Sequence, residues 1–108
     1  MFNEHSVSVV VPAYNEEETI GGVVQGYAGH PLVDEVVVVD NNCRDRTAAI
    51  AAGEGARVVA ESRPGYGAAL LRGMTEAEGE ILVLTEAAGS RNPHAAGHTP
   101  HPPPVRAA

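Results

Sequence analysis

The sequence predicts an α/β protein with one open parallel sheet of about four strands and three helices. Runs of β-branched residues recur along residues 1–88 and alternate with Ala-, Gly- and Glu-rich stretches of helical length. The valine runs are continuous, which is typical of parallel strands covered on both faces. The length of 108 residues corresponds to one small domain. Strands that alternate with helices indicate right-handed βαβ units and a Rossmann-like arrangement.

Each element follows from a local pattern. Pro12 is expected to end the first strand. Asn15, with Glu18 three residues later, is expected to cap the first helix as a capping box, and Asn42 or Cys43 to cap the second. The expected strand order is 3-2-1-4, with a ligand crevice at the carboxyl ends of the strands, where the order reverses between strands 1 and 4. Strands are predicted over residues 6–11, 34–40, 57–61 and 81–85, and helices over 19–27, 44–52 and 67–78.

Residues 89–108 differ in composition from residues 1–88. They hold five of the eight prolines and three of the five histidines, with one β-branched aliphatic residue. Such a segment buries too little apolar surface to offset its ordering entropy, so we expect a disordered or loosely draped tail. His94, His98 and His101 are spaced as on one helix face, but the prolines between and beyond them disfavour a helix and therefore a metal site.

Composition excludes several classes of protein. Fourteen acidic residues outnumber seven arginines, and a net charge of −7 argues against a chain-wide surface for nucleic acid or anionic membrane. Cys43 is the only cysteine, so an internal disulfide is impossible and a reducing, cytoplasmic compartment is expected. The N-terminus lacks a basic signal-peptide region, and the purely apolar runs, such as 9–11 and 36–39, are far too short to cross a bilayer.

Two nucleotide-binding motifs are also missing. The segment after the first strand lacks a G-x-G-x-x-G fingerprint, and a P-loop requires a lysine that the chain does not contain. The expected crevice instead holds Asn15, Glu16 and Asp40. A carboxylate at the end of strand 2 suits a base N–H or ribose hydroxyls as donors, although Asp40 is equally interpretable as a loop or cap residue. Glu16 and its two acidic neighbours also suit the first turn of a helix.

The loop of residues 63–67 leads into the third predicted helix. Its two glycines would allow the backbone to approach a ligand, and a helix N-terminus offers free amides to an anion. Arg63 or Arg72 would add charge toward a diphosphate. The alternative is an ordinary strand-to-helix turn. Tyr14 and Tyr66 suit stacking on a base, or packing within the protein.

Four segments together resemble the family-2 glycosyltransferases, in particular the polyprenyl-phosphate sugar transferases such as dolichol-phosphate mannosyltransferase. The family has P-x-Y-N-E, V-V-D-[DN]-x-S-x-D-x-T, G-x-G-x-A and strand-then-D-x-D stretches in this order. The matching segments are VSVVVPAYNEEETI at 7–20, VDEVVVVDNNCRDRT at 33–47, GARVVAESRPGYGAALLRG at 55–73 and GEILVLTEAAG at 79–89. The resemblance implies the nucleotide-sugar-binding half of a GT-A fold in residues 1–88, and an inverting, metal-dependent glycosyltransferase.

The resemblance also implies roles for individual residues. Pro12, Tyr14 and Glu16 would line the nucleoside pocket, and Asp40 would contact the base. The other implied positions are Asp45, near or just behind the ligand, and Arg63, Gly65 and Gly67 along the path of the diphosphate and sugar. In the place of D-x-D, where the family holds Mg²⁺ or Mn²⁺, stands Glu86-Ala87-Ala88. Ala88 supplies no oxygen, so we expect Glu86 alone to bind a metal only weakly.

Two further departures bear on activity. Cys43 stands where the family has serine, and a poor hydrogen-bond partner there predicts a lost cap worth about 1 kcal/mol. No segment matches the acceptor half, which carries the general base in the family, so no catalytic residue is assigned. The chain therefore looks truncated, and its tail resembles translation in a shifted frame or an early stop.

The expected function is transfer of a sugar from a UDP- or GDP-sugar, with a polyprenyl phosphate as one candidate acceptor. The alternatives are a non-catalytic nucleotide-sugar-binding module and an inactive fragment. The apolar strand at 81–85 also predicts self-association through an exposed edge.

Overall fold

The computed structural model describes residues 1–85 and 106–107. Strands and helices alternate along the chain up to the fourth strand, as the sequence predicts, and the last two strands are short. The helices are α1 (Ile20–Ala28), α2 (Thr47–Gly53) and α3 (Tyr66–Glu76). The strands are β1 (Val7–Ala13), β2 (Glu35–Asp40), β3 (Arg57–Ala60), β4 (Ile81–Leu84) and β5 (Arg106–Ala107).

One sheet has the order β3-β2-β1-β4-β5. Strands β1 to β4 are parallel, which confirms the predicted class and the order 3-2-1-4. Strand β5 pairs antiparallel with β4, with Ile81 opposite Ala107. Of the segment 89–108, the structure describes Arg106 and Ala107. For the other residues of this segment, the prediction of a disordered tail lies outside the described residues.

The valine runs form the centre of a three-layer sandwich. Every residue of β1 is buried, because both faces of this strand carry helices. On one face, Ile20 and Val24 of α1 join the core cluster that contains Val9 and Val38, and α2 packs there too. On the other face, α3 packs against β1 and β2. This two-sided cover explains why the strands read as uninterrupted apolar runs.

The prediction that Pro12 ends the first strand is wrong, since β1 continues to Ala13. The backbone N–H and C=O groups of successive β1 residues point alternately toward β4 and toward β2. Val10 O accepts from Thr85 N–H on the β4 side, and Ala13 O accepts from Asn41 N–H on the β2 side. Pro12 faces the β4 side beyond the last paired residue of that strand, Leu84. The missing N–H of proline therefore costs no ladder hydrogen bond.

Both predicted helix caps are also wrong. Helix α1 begins at Ile20 with Thr19 at its N-cap position, four residues after Asn15. Asn15 instead adopts a left-handed conformation with φ of 51°. Helix α2 begins at Thr47, so Asn42 and Cys43 lie in the preceding loop rather than at its cap. In these two loops, side chains of each loop accept hydrogen bonds from backbone N–H groups of the other.

The outer edge of β4 is partly covered by the chain itself. Strand β5 pairs with Ile81 and Leu82. Leu84 lies beyond that pairing and is 39% exposed. Self-association through the β4 edge stays a prediction, with Leu84 as its apolar contact. Among residues 1–85 and 106–107, the helices are all too short to traverse a bilayer.

Candidate functional site

A cleft of about 450 Å³ opens at the carboxyl ends of β1 and β2, against the first turn of α3. In the described part of the chain, the cleft therefore lies at the ends of β1 and β2, whereas the sequence predicted a crevice between β1 and β4. The cleft is lined from three sides: the end of β1 and its loop, the residues after β2, and the loop that enters α3. Its lining residues are Pro12, Ala13, Tyr14, Glu16, Asn41, Asn42, Pro64, Gly65, Tyr66 and Ala69.

The loop after β1 supplies the first wall. Tyr14 is 56% exposed, whereas Glu16 is only 4% exposed although both line the cleft. The backbone N–H of Glu16 donates to the Thr47 hydroxyl at 2.8 Å. Asn15 Oδ1 accepts from the N–H of Arg44 at 2.8 Å. The wall is therefore fixed by bonds to the loop after β2.

Asp45 stands behind this wall and does not line the cleft. One of its carboxylate oxygens accepts from both the N–H and the hydroxyl of Thr47, and the other accepts from the N–H of Glu17. Desolvation raises the pKa of Asp45, but these hydrogen bonds outweigh it and hold the pKa below its ordinary value. Through Thr47, the Asp45 carboxylate supports the segment that carries Glu16.

Asp40 likewise does not line the cleft, although its neighbour Asn41 does. Asp40 Oδ1 accepts from the N–H of Cys43 at 2.8 Å and closes the turn after β2. The Cys43 thiol accepts from the N–H of Asn15 and donates to Ala13 O, each at 3.3 Å. Desolvation raises the pKa of this thiol. The cysteine thus joins two loops, where the sequence predicted a lost cap.

The loop that enters α3 supplies the opposite wall. Gly65 takes φ of 109° and ψ of 153°, a conformation that is essentially restricted to glycine. Tyr66 follows it at 52% exposure. Gly67, in the first turn of α3, is not among the lining residues. Of the two glycines predicted to face a ligand, Gly65 lines the cleft and Gly67 does not.

Arg63 is engaged elsewhere rather than facing the cleft. Its Nε lies 3.1 Å from Glu61 Oε2, and its backbone N–H donates to the same oxygen at 2.8 Å. Arg72 Nε lies 3.3 Å from Glu61 Oε1, so two guanidinium groups share one carboxylate. Glu61 is 3% exposed. The ion pairs of Glu61 with Arg63 and Arg72 form a brace for the loop, and contact of Arg63 with a diphosphate stays a prediction.

The brace predicts acid sensitivity. Hydrogen bonds from the Arg63 side chain and amide lower the pKa of Glu61 from 4.5 to about 2. A carboxyl whose folded-state pKa is depressed contributes stability above its unfolded pKa, and the contribution disappears as pH falls through the folded-state value. The excess stability of the wild type over Glu61→Gln, measured by urea unfolding, should therefore shrink as pH falls from about 4.5 toward 2. The exposed Glu18→Gln variant is the matched control, and a pH-independent difference for Glu61→Gln would contradict the brace.

Metal ligands are not clustered in the described residues. No group of three His, Cys, Asp or Glu side chains there could hold a metal ion. Glu86 and Ala88, at the place of the expected metal motif, lie outside the described residues. The sequence offers one carboxylate at that place. The donor set does not fit a tightly held Mg²⁺ or Mn²⁺, which takes several oxygen ligands.

The structure thus brings together part of the predicted site. The predicted residues that line the cleft are Pro12, Tyr14, Glu16 and Gly65, and Tyr66 joins them. Asp40, Asp45, Arg63 and Gly67 lie around it without lining it. From the sequence, Asn41 was assigned no role in the site, and its position directly after the buried strand β2 is the one signal that could have placed it at the cleft.

An open parallel sheet with a polar, tyrosine-flanked cleft at its carboxyl edge defines an α/β protein of the ligand-binding kind. Residues 8–87 match the model of the Glycosyl transferase family 2, and the chain belongs to this family. This confirms the coarse resemblance that the sequence motifs indicated.

The most informative relatives are mycobacterial. An uncharacterized glycosyltransferase of Mycobacterium tuberculosis is 45% identical over 85 residues, which cover 79% of this chain and 38% of the relative. A glucosyl-3-phosphoglycerate synthase of Mycolicibacterium paratuberculosis is 38% identical over 99 residues, covering 82% of this chain and 30% of the relative. The chain therefore spans about a third of the length of these relatives.

Solved structures agree with the fold. The crystal structure of glucosyl-3-phosphoglycerate synthase from Mycobacterium tuberculosis in complex with Mn²⁺, UDP and glucosyl-3-phosphoglycerate matches with a TM-score of 0.72 and 37% identity. The match covers 78% of this chain and 34% of that one. Another structure of the synthase holds Mg²⁺ and UDP. These relatives correct the narrower resemblance, because they are not polyprenyl-phosphate sugar transferases.

Proposed function

We propose that this chain is the donor-binding half of a glycosyltransferase, and that its cleft binds the nucleoside part of a UDP-sugar. UDP-glucose is the first candidate, because the similar synthase is crystallised with UDP. The observation that carries the proposal is the pair Tyr14 and Tyr66. These tyrosines rise from two loops on the border of one cleft, each more than half exposed. An exposed aromatic pair beside polar groups suits a flat base better than a packed core.

The rest of the cleft suits the same ligand. Its volume of about 450 Å³ falls within the roughly 300–1,000 Å³ of small-molecule sites. Backbone groups of the two loops and the buried Glu16 supply polar contacts on one side. Pro12, Pro64 and Ala69 supply apolar surface for the base and ribose. The described residues therefore bind and orient a donor and exclude water from its nucleoside.

Transfer itself requires more than these residues. In the transfer step, an acceptor hydroxyl would attack the anomeric carbon, its proton would pass to a base, and the nucleoside diphosphate would leave. The acceptor to test first is 3-phosphoglycerate, because two of the relatives are named for its glucosyl product. A polyprenyl phosphate has no support from these relatives. A non-catalytic nucleotide-sugar-binding module is the second candidate, favoured by Ala88 at the second acidic position of the metal motif.

Calorimetry tests the proposal directly. The 108-residue chain is titrated with UDP, UDP-glucose and GDP, with and without Mn²⁺. We expect saturable binding of UDP and UDP-glucose, with a small effect of Mn²⁺ because Glu86 is the only acidic residue at the metal motif. Absence of saturable heat with all three nucleotides would refute donor binding. Release of UDP in the presence of 3-phosphoglycerate would separate the enzyme from the binding module.

A further inference from the structure

The side chain of Asn41 is a buried amide at the carboxyl end of β2, 7% exposed. Its Nδ2 donates to Glu61 O at 3.1 Å and to Arg63 O at 2.7 Å. Its Oδ1 accepts from the N–H of Gly65 at 3.1 Å. All three partners belong to the segment 61–65, twenty or more residues away along the chain. One amide therefore meets three backbone groups of a single loop.

That loop needs such partners. It joins β3 to α3, and its two ends bond to their neighbours: the N–H of Glu61 donates to Asp40 O of β2, and Gly65 O accepts from the N–H of Ala69 in α3. The carbonyls of Glu61 and Arg63 and the N–H of Gly65 are instead bonded by a side chain. Gly65 holds a strained conformation that persists only when its surroundings enforce it. The neighbouring Asn42 adds one bond from Nδ2 to Ser62 O at 3.1 Å. The loop is thus held mainly by side chains from the end of β2 and by Glu61 from within.

We infer that Asn41 is a positioning residue of the cleft, which sets the wall formed by Pro64, Gly65 and Tyr66 before any ligand arrives. The inference rests on the proposed function, because that wall is one side of the proposed nucleoside site. Both hydrogens of Nδ2 are directed at loop carbonyls, so the amide nitrogen acts on the ligand through the loop. An unordered wall would have to be ordered during binding and would lower the apparent affinity.

Asparagine is specifically required by this arrangement. Two carbonyl oxygens and one N–H surround the side chain, and an amide alone offers two donors and an acceptor in one planar group. Asn41→Asp keeps the shape and the acceptor but replaces both donors by an oxygen that faces two carbonyls. Asn41→Ala removes all three bonds. The matched control is Asn3→Asp, which makes the same chemical change at an exposed residue outside the cleft.

Amide hydrogen exchange tests the positioning independently of any ligand. In Asn41→Ala the Gly65 N–H loses its acceptor, and we expect it to exchange faster than in the wild type. The acceleration at Gly65 should be about ten times the acceleration at Val38, a residue of the central strand β2 whose exchange follows global stability. A loss of global stability alone would accelerate the Gly65 amide by no more than the Val38 amide, because a loop amide also exchanges through local openings that leave the core intact. Equal acceleration, or no acceleration at Gly65, would overturn the inference. Asn3→Asp should leave both amides unchanged.

Titration with UDP tests the consequence for binding. We expect Asn41→Asp and Asn41→Ala to bind UDP about tenfold more weakly than the wild type, at a temperature where each variant is folded by circular dichroism. Wild-type affinity in a variant whose Gly65 amide has lost protection would overturn the inference. If the wild type itself fails to bind UDP, the proposed function falls and takes the binding role of Asn41 with it. The exchange data would then still show whether Asn41 holds the loop.

Discussion

Replacing Gly73 by alanine is expected to destabilise the fold by about 2 kcal/mol or more, because α3 lies directly on the sheet at this residue. An added methyl group would lie 2.2 Å from Val10 Cγ1 and 3.0 Å from Val39 Cγ2. Val10 and Val39 are fully buried in neighbouring strands and have no space to retreat into. Helix α3 must then move outward, which outweighs the gain of about 1 kcal/mol that alanine offers over glycine in a helix.

Urea unfolding of Gly73→Ala, with Gly22→Ala as the matched control, measures this effect. Gly22 lies in α1 with open space around the added methyl group, so alanine there should stabilise the chain by about 0.5–1 kcal/mol. Adding Val10→Ala to Gly73→Ala should recover part of the loss, since it removes the clashing methyl groups. A midpoint for Gly73→Ala at or above that of the wild type would show that α3 does not pack as described.

Removal of either cleft tyrosine should have the largest effect on ligand binding. Stacking of a base on an aromatic side chain is worth about 1–3 kcal/mol, so Tyr14→Ala or Tyr66→Ala should weaken UDP binding by about 5- to 150-fold. Both side chains are more than half exposed, so their removal should cost the fold little. The ring rather than the hydroxyl provides the expected contact.

Phenylalanine variants separate ring from hydroxyl. Tyr14→Phe and Tyr66→Phe should retain most of the UDP affinity, while Leu71→Ala, an equally exposed change on α3 that lies outside the cleft lining, should retain all of it. Calorimetric titration of the five variants with UDP gives the comparison. Equal affinities for Tyr14→Ala, Tyr66→Ala and Leu71→Ala would place the base somewhere other than between these rings.

The fold was predictable because its decisive signals are local. Four valine- or leucine-rich runs and three intervening amphipathic stretches dictate a parallel sheet covered on both faces, and the strand order follows from right-handed crossovers. The predictions that were wrong concern the residues at which strands and helices begin or end. Pro12 stays in β1 because its neighbour strand has already ended, which depends on the relative lengths of two strands 70 residues apart.

The site was predictable where a residue acts through its own side chain facing the cleft. The family resemblance implied Pro12, Tyr14, Glu16 and Gly65, and all four line the cleft at the sheet edge. Arg63 was predicted to meet a diphosphate, and the structure adds an ion pair with Glu61 two residues earlier that was not predicted from the sequence. Burial of Glu61 favours this pair.

Two roles depended on contacts between distant loops. Asn41 bonds to residues that come 20 to 24 positions later, and Asp45 supports a loop that precedes it by 28. Neither contact leaves a periodicity or a spacing in the sequence. Asp40 differs from these two residues, because its carboxylate bonds locally to the Cys43 amide. The contact of Asp40 with a base, which the family resemblance implied, stays a prediction.

Amide chemical-shift mapping with UDP tests the central claim, that the cleft between the β1 loop and the start of α3 is the nucleotide site. UDP is added to the nitrogen-labelled chain, and shifts are followed at both ends of the strands. The amides of Tyr14, Gly65 and Tyr66 should move together and saturate, while those of Glu35 and Gly79 at the opposite end stay in place. Saturable shifts confined to the Glu35 and Gly79 end, with Tyr14 and Gly65 unmoved, would contradict the account.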